Sequence, residues 1–587
     1  MTPVFPPLRL AAAIVSLASC LCAQTPLFPL KDLKPGMRGI GKTVFSGNAI
    51  EEFQVEILGV LENVGPHQSL ILGRLSGGPL GSTGVLQGMS GSPVYVDGKL
   101  IGAVSSAFSF AKEPIAGIRP IEEMLRAPRG SSTTLRAAMS EKGEWRLPPR
   151  DVPRFAESGM IDIATPVSFG GFTRGTLDAF SPQLRALGLE PRQGVAAGGA
   201  VTGRIGNPAD LKPGSMISVL LLSGDMNIGA DGTVTHIDGN RVFAFGHRFL
   251  SAGPTEMPFA RAEVLALMPL LSTSFKISAA KELMGVISED RNAAVAGVLG
   301  RRARMIPFAI RVSRAGRAEN TTAENYNMEM VDDRFVSPIL LQMAAFSAID
   351  ATERTAGAST ITVRGEIRFA SGAPSAILDN IFAGDNGGAI QAALSGAIPL
   401  AYILQGGFDS LRISGISLDI QSSIEKKQLQ IEQVSAGRRE AKPGDRIPIT
   451  VLMAGENGLE ISKTVEYTVP LGAPPGTLFF TVADGMTTNY LELRPALTSS
   501  PRSAAELLDT VNRLRPNTKA YIRVWRADPA FQVRGEDFPA PPASLALLLG
   551  ATQGATQTRN SKVAELEVFA GGMAVSGTRT VQVEVKE

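Results

Sequence analysis

Thiols, imidazoles and large aromatic side chains are scarce in this chain, and each scarcity closes off a class of chemistry. Its 587 residues include 2 Cys, 3 His, 2 Trp and 6 Tyr. Loss of a leader ending at Ala23 would remove Cys20 and Cys22 together, so the mature chain would hold no disulfide and no thiol nucleophile. His236 and His247 are eleven residues apart, and neither an HExxH run nor an EF-hand loop occurs, so no metal site is expected. No glycine-rich strand-to-helix loop is followed by Lys-Ser/Thr, so no nucleotide or other cofactor is expected. A formal net charge of +2 and so few stacking aromatics leave no nucleic-acid footprint. Beyond the leader no stretch of 18 uninterrupted apolar residues occurs, so no transmembrane span is expected in the mature chain.

Glycine and proline, in contrast, are plentiful at 62 and 39, beside 44% hydrophobic and 19% charged residues. That balance suits short strands joined by tight turns, and the expected fold class is mainly β. The length calls for about three or four domains. The first residues, MTPVFPPLRLAAAIVSLASCLCAQTP, place Arg9 before an apolar run from Leu10 to Ala18 and small residues before Ala23. This is the anatomy of a secretory signal over 1–23, and it predicts export, to the periplasm or cell envelope or beyond. Leu17-Ala18-Ser19-Cys20 also resembles a lipoprotein box, which would leave a lipid anchor on Cys20; both outcomes stay open.

Residues 30–128 form a first module of β-branched runs and glycines that ends in a short helix around Pro120 to Leu125. Residues 129–158 are polar and broken by proline, as in a linker. A second module over 159–315 has a helix candidate near Leu177 to Leu187, then strands. Residues 316–410 read as mixed α/β, and 411–485 as an immunoglobulin-like β-sandwich whose strands alternate around Pro443-Gly444-Asp445. Residues 486–587 read as a small C-terminal α/β unit. In it Ser503 and Glu506 make a capping box, Leu507, Leu508, Val511 and Leu514 share one helix face, Pro516 ends that helix, and Ala520 to Trp525 is a strand. No fixed-period repeat is present, but Leu33-Lys34-Pro35-Gly36 recurs as Leu211-Lys212-Pro213-Gly214. The basic cluster Arg301, Arg302, Arg304, Arg311, Arg314 and Arg317 reads as a solvated strand face, with an anionic partner as the sharper alternative.

The chemistry centres on Gly88-Met89-Ser90-Gly91-Ser92-Pro93, which runs into Val94-Tyr95-Val96, an Asp97-Gly98 turn and the return strand Leu100 to Val104. Glycines on both sides of Ser90 permit a tight turn that exposes the hydroxyl and aims the Gly88 and Ser90 amides at a common point, as an oxyanion hole requires. Pro93 sets the chain for the strand, and Asp-Gly is the preferred two-residue hairpin turn. The bland alternative is a Gly/Ser turn with no chemistry. A serine nucleophile needs a base. Of the three histidines, His247 ends a hairpin that turns at Asp238-Gly239-Asn240 and returns through Phe243-Ala244-Phe245-Gly246; His236 lies inside the opposing strand, and His67 in a polar turn. His247 is therefore the candidate base.

GMSGSPVYVDGKLIGAV, VFAFGH, the segment Gly224 to Thr235, and Gly285 through Asp290-Arg291-Asn292 to Gly297 together resemble the SpoIVB-type serine peptidase family. The resemblance implies two chymotrypsin-like β-barrel halves, the serine half at 30–128 and the histidine half at 159–315, with the sandwich and the α/β unit as accessory domains. It implies a serine endopeptidase acting on a protein or peptide substrate. In that family the histidine segment precedes the serine segment; here the order is reversed, so the halves look permuted. The family's acid lies upstream of the serine in the same barrel, but here no Asp or Glu occurs between Glu62 and Asp97. Asp290, Glu256 and Asp225 are candidates, or the acid is absent. Gly84 would lie near the base of the primary specificity pocket, which would then lack a carboxylate for basic side chains. A second reading is a catalytically inactive peptidase-fold envelope protein that binds or scaffolds.

Overall fold

The computed structural model describes residues 25–126, 160–194, 204–314, 323–352, 359–496 and 501–587, except positions 66, 109–110, 386–387, 502, 529, 534–535, 540, 553–554 and 559–560, together with the strand pair Ala138–Met139 and Trp145–Arg146. The leader, with Cys20 and Ala23, lies outside the described residues, as do most of the linker and Arg317.

The fold is mainly β. Its first unit is built from β1 (Arg38–Val44), β2 (Ile50–Gly65), β3 (Gln68–Ser76), β4 (Pro93–Val96), β5 (Lys99–Phe108) and β6 (Ile115–Pro120). All neighbours are antiparallel, in the order β1-β2-β3-β6-β5-β4, and β4 pairs back onto β1, closing a six-stranded barrel. Alternation along the strands fills it: Phe53, Val55 and Ile57 of β2 point inward and meet Ile71 and Leu75 of β3 and Val94 and Val96 of β4. The β4–β5 turn has positive φ at both Asp97 (49°) and Gly98 (74°), the signature of a type I′ turn. Ile121–Leu125 forms the expected short helix.

The second unit uses β7 (Met216–Gly224), β8 (Asn227–Asp238), β9 (Arg241–Ala244), β10 (Gly253–Met268), β11 (Phe275–Arg291) and β12 (Ala294–Leu299). Its pairings run β7-β8-β9-β12-β11-β10 and return to β7, so both barrels close with one strand order. The Leu-Lys-Pro-Gly echo acquires a meaning here, because each copy is the turn that leads into a barrel's first strand. Gly36 (φ 85°) donates its amide to Ile57 O at 2.8 Å, and Gly214 (φ 96°) donates to Val234 O at 2.8 Å, in each case on the second strand. The long strands β10 and β11 reach past their own barrel, and Val264 and Gly47 exchange two 2.8 Å backbone bonds with the first. Before this barrel, the helix α1 (Arg174–Ala186) is capped by Thr173, whose Oγ1 accepts from the Thr176 amide, and buries Leu177, Phe180 and Leu184.

The second barrel is not a free-standing half. Beside β7 its sheet continues through β14 (Glu324–Val331), β13 (Met305–Arg314), β17 (Ile413–Ser423), β15 (Ser359–Phe369) and β16 (Ala376–Gly384). The helices α2 (Val336–Thr352) and α3 (Gly388–Gly406) bury their apolar faces in the same core. Among the described residues α3 is the one helix long and apolar enough to cross a membrane, and 56% of it is buried here.

Two expected boundaries move. Residues 413–423, read as the start of the sandwich, belong to the large sheet. The sandwich instead joins Gln428–Ala436, Arg446–Gly455, Glu460–Thr468 and Ala574–Ser576 in one sheet to Gly476–Asp484, Lys519–Arg526, Ser561–Phe569 and Thr578–Val585 in the other, around a single core. The strand assigned to a C-terminal α/β unit is thus a sandwich strand. The helix with which it was grouped, Ala504–Asn512, is capped by Ser503 but packs Leu507, Leu508 and Val511 into the core of the large sheet. Alternation locates strands; which sheet they join depends on pairing across long sequence separations.

Candidate active site between the two barrels

Ser90 and His247 fall in the connection between the third and fourth strands of their respective barrels. Around Ser90, Gly88 and Gly91 take φ of 92° and 94°, values that favour glycine. Met89 donates to Leu86 O (3.1 Å), Ser92 to Met89 O (2.9 Å) and Gly91 to Val104 O (2.7 Å), which winds the segment into a tight turn. The Gly88 and Ser90 amides, by contrast, have no acceptor among the described residues. Ser90 Oγ is buried and, among the described residues, has no hydrogen-bond partner, the His247 ring included.

The turn's carbonyls are satisfied from the other barrel. Thr233 donates its amide to Ser90 O at 2.8 Å and its hydroxyl to Gly88 O at 2.9 Å, and Thr235 Oγ1 donates to Gly91 O at 2.7 Å. The contact is close enough to demand glycine, since a methyl group at Gly91 would lie 2.0 Å from Thr233 O and 2.5 Å from Phe245 N.

His247 is delivered by a strained exit from β9. Phe245, fully buried, takes φ 69°, and Gly246 follows at 71°. Such a backbone at a bulky residue costs about 1–3 kcal/mol and persists only where packing enforces it. Here the Phe245 ring lies edge-on to Phe249 with centroids 5.9 Å apart, and its amide donates to Thr233 O. A methyl at Gly246 would sit 3.1 Å from Val104 O, the carbonyl that receives the Gly91 amide, so the serine turn and the histidine turn meet at Val104 of β5.

His247 Nδ1 lies 2.7 Å from Arg248 O. A carbonyl only accepts, so in the neutral ring Nδ1 carries the proton and Nε2 is the acceptor, the tautomer a general base needs. The sequence missed this arrangement, in which a backbone carbonyl stands where a triad carboxylate was sought. Of the three candidate acids, Asp290 is buried and accepts amide bonds from Phe249 (2.8 Å), Leu250 (2.6 Å) and Ala252 (3.0 Å) in the loop after His247. Burial pushes its carboxyl above the usual range, against the pull of those amides. Glu256 pairs with Arg301 at 3.5 Å, and Asp225 accepts from the Asn327 amide at 2.6 Å. Asp162, which follows the linker, is a further carboxylate near the seam: Ser106 Oγ reaches it at 3.4 Å, and Ser105 beside Gly246 lies 3.3 Å from Ser106 Oγ.

His236 is buried against Phe243, with ring centroids 6.3 Å apart, and burial lowers its proton affinity; His67 sits in an exposed turn at φ 57°. Gly84 ends a one-turn helix at φ 65°, with open space where a side chain would project. Arg301 and Arg304 of the basic cluster pair with Glu256 and Asp332. Among the described residues no group of three or more His, Cys, Asp or Glu could hold a metal ion.

Two buried charges at the seam also went unread. Lys276 at the start of β11 is 1% exposed, and its Nζ donates to Thr43 Oγ1 of β1 at 2.8 Å. Burial pulls its pKa down to about 7. Asp231 on β8 is 1% exposed and accepts from Ser278 (2.6 Å) and Ser168 (3.3 Å), and burial pushes it up to about 6. In the sequence Phe275-Lys276-Ile277-Ser278 looks like a strand with polar residues facing water, and nothing in it marks Lys276 as buried.

The sequence model of the family described as SpoIVB peptidase S55 matches residues 23–125, a span that contains the whole first barrel and Ser90 and stops before the second. No curated protein and no solved structure matches this chain.

Proposed function

We propose that this chain, whose first barrel carries the SpoIVB-type peptidase sequence, is an exported serine endopeptidase in which Ser90 and His247 act across the barrel seam. Ser90 Oγ attacks the scissile carbonyl of a protein substrate, and His247 Nε2 takes its proton and returns it to the leaving amine. The Gly88 and Ser90 amides hold the oxyanion. The observation that carries this reading is a pair of amides and a buried hydroxyl that have no partners among the described residues, in a turn that meets the histidine turn at Val104. Arg248 O orients the imidazole and Asp290 holds the loop that supplies it, so no carboxylate is assigned to the imidazole; in this reading the serine-bearing half precedes the histidine-bearing half, the reverse of the family's order. Export follows the leader at 1–23, with lipidation at Cys20 as its variant.

Two observations favour the second reading, a binding module without activity: Ser90 Oγ makes no hydrogen bond to the His247 ring, and Ser90 is 0% and His247 1% exposed, so a peptide reaches them only if the seam opens. Labelling of the mature protein with a fluorophosphonate probe separates the two. Labelling that is lost in both Ser90→Ala and His247→Ala supports the peptidase. Folded wild-type protein that stays unlabelled, with and without limited proteolysis to release the seam, supports the binding module.

A further inference from the structure

A fully buried lysine whose head reaches one hydroxyl is an expensive way to fill space, and Lys276 is placed where that cost has a use. Its backbone is bonded to the residue before the turn: Gln87 N donates to Ser274 O at 2.8 Å, and Lys276 N donates to Gln87 O at 3.2 Å. Its stem lies over the turn itself, since a methyl at Gly88 would meet Lys276 Cδ at 3.3 Å and Cβ at 3.5 Å. Its head then crosses to Thr43 of the serine barrel. One side chain thus spans from the histidine barrel, over Gly88, into the serine barrel.

We infer that Lys276 is a positioning residue for the Gly88–Ser90 turn, holding the two oxyanion amides in place by bolting the histidine barrel to Thr43. This rests on the peptidase reading only for its catalytic consequence. The carboxylates that face the ammonium are Asp231 from β8 and Glu51 from β2, while Arg192 covers the neighbouring Phe275 ring at 4.4 Å and reaches Gln87 Oε1 at 3.4 Å. With burial pulling the lysine to about pH 7, the strong ammonium donor gives way to a weaker amine above that pH.

Two readouts on the full mature chain test the bolt. Lys276→Met keeps the stem and removes the head; Thr43→Val removes only the hydroxyl and serves where the methionine variant fails to fold. Hydrogen exchange of the peptide spanning 84–92, measured in a Ser90→Ala background, should speed up about tenfold or more in either variant. In Ser90 protein the fluorophosphonate labelling rate should fall about tenfold or more, and the relative decline of the wild-type rate above about pH 7 should vanish in Lys276→Met. Unchanged exchange and unchanged labelling in a folded variant overturn the inference. Faster exchange in a protein that never labels leaves the bolt standing and removes the peptidase reading instead.

Discussion

The two barrels share a strand order and place Ser90 and His247 in the same connection, yet they hold that connection in different ways. In the first barrel glycines take the left-handed positions of the turn, and three of its carbonyls, from Gly88, Ser90 and Gly91, are bound by Thr233 and Thr235 of the second. In the second barrel a phenylalanine takes the left-handed backbone, and the loop that follows is bound by Asp290 of its own barrel. The loop after His247 is held from within its own barrel, whereas the serine turn, wound by bonds of its own barrel, needs its neighbour to satisfy three of its carbonyls. Two barrels of one strand order can therefore present one loop held from within and one turn completed by association.

The largest expected effect comes from forcing the seam. Gly91→Ala sets a methyl 2.0 Å from Thr233 O and should cut fluorophosphonate labelling about a hundredfold or more, because misplacement of about 1 Å has that effect on reacting groups. Wild-type labelling in this variant would show that the serine turn keeps its shape without the second barrel. Next comes the self-supported side. Asp290→Ala strands buried amides in the loop after His247 and should lower unfolding stability by about 3 kcal/mol, with Asp290→Asn intermediate. Denaturant midpoints equal to wild type would mean that the loop is held by something else.

The pH dependence of stability discriminates further. Lys276 has a folded pKa of about 7 against an ordinary 10.5, so between those values the unfolded chain binds the proton and the folded chain does not; its contribution rises with pH across that window. Asp231, at about 6 against 3.8, is protonated in the folded state while ionised in the unfolded one, so its contribution falls as pH climbs from 3.8 to 6. Wild-type thermal stability should thus gain on Lys276→Met as pH goes from 7 to 9, measured by melting both proteins in parallel. Parallel curves would remove the lysine titration. The smallest effect belongs to the basic cluster, where Arg301→Ala breaks an exposed pair with Glu256 and should change stability by no more than about 0.5 kcal/mol.

The local elements of the candidate site were legible because their signals are local. The Gly-x-Ser-Gly turn, the Asp97-Gly98 hairpin and the strand leading to Gly246 each follow from a few neighbouring residues, and all lie where the pattern placed them. What stayed hidden depends on contacts between distant segments. Asp290 supports the histidine loop through amides about forty residues away in sequence, a carbonyl rather than a carboxylate orients His247, and Lys276 is buried only because two barrels meet over it. The sandwich boundary failed for the same reason: residues 413–423 alternate like any sandwich strand, but lie parallel to Met305–Arg314 in the large sheet.

The three carbonyl bonds from Thr233 and Thr235 to the serine turn also make the seam a mechanical element. They link segments 145, 143 and 144 positions apart without any covalent tie nearby, so a pull that separates the barrels loads all three bonds together. The turn would lose its shape at an extension far shorter than the unravelling of either barrel. A chain tethered at one end and tugged at the other would then carry the Gly88–Gly91 turn as a tension-sensitive part, deformed by strain and re-formed when the force is released.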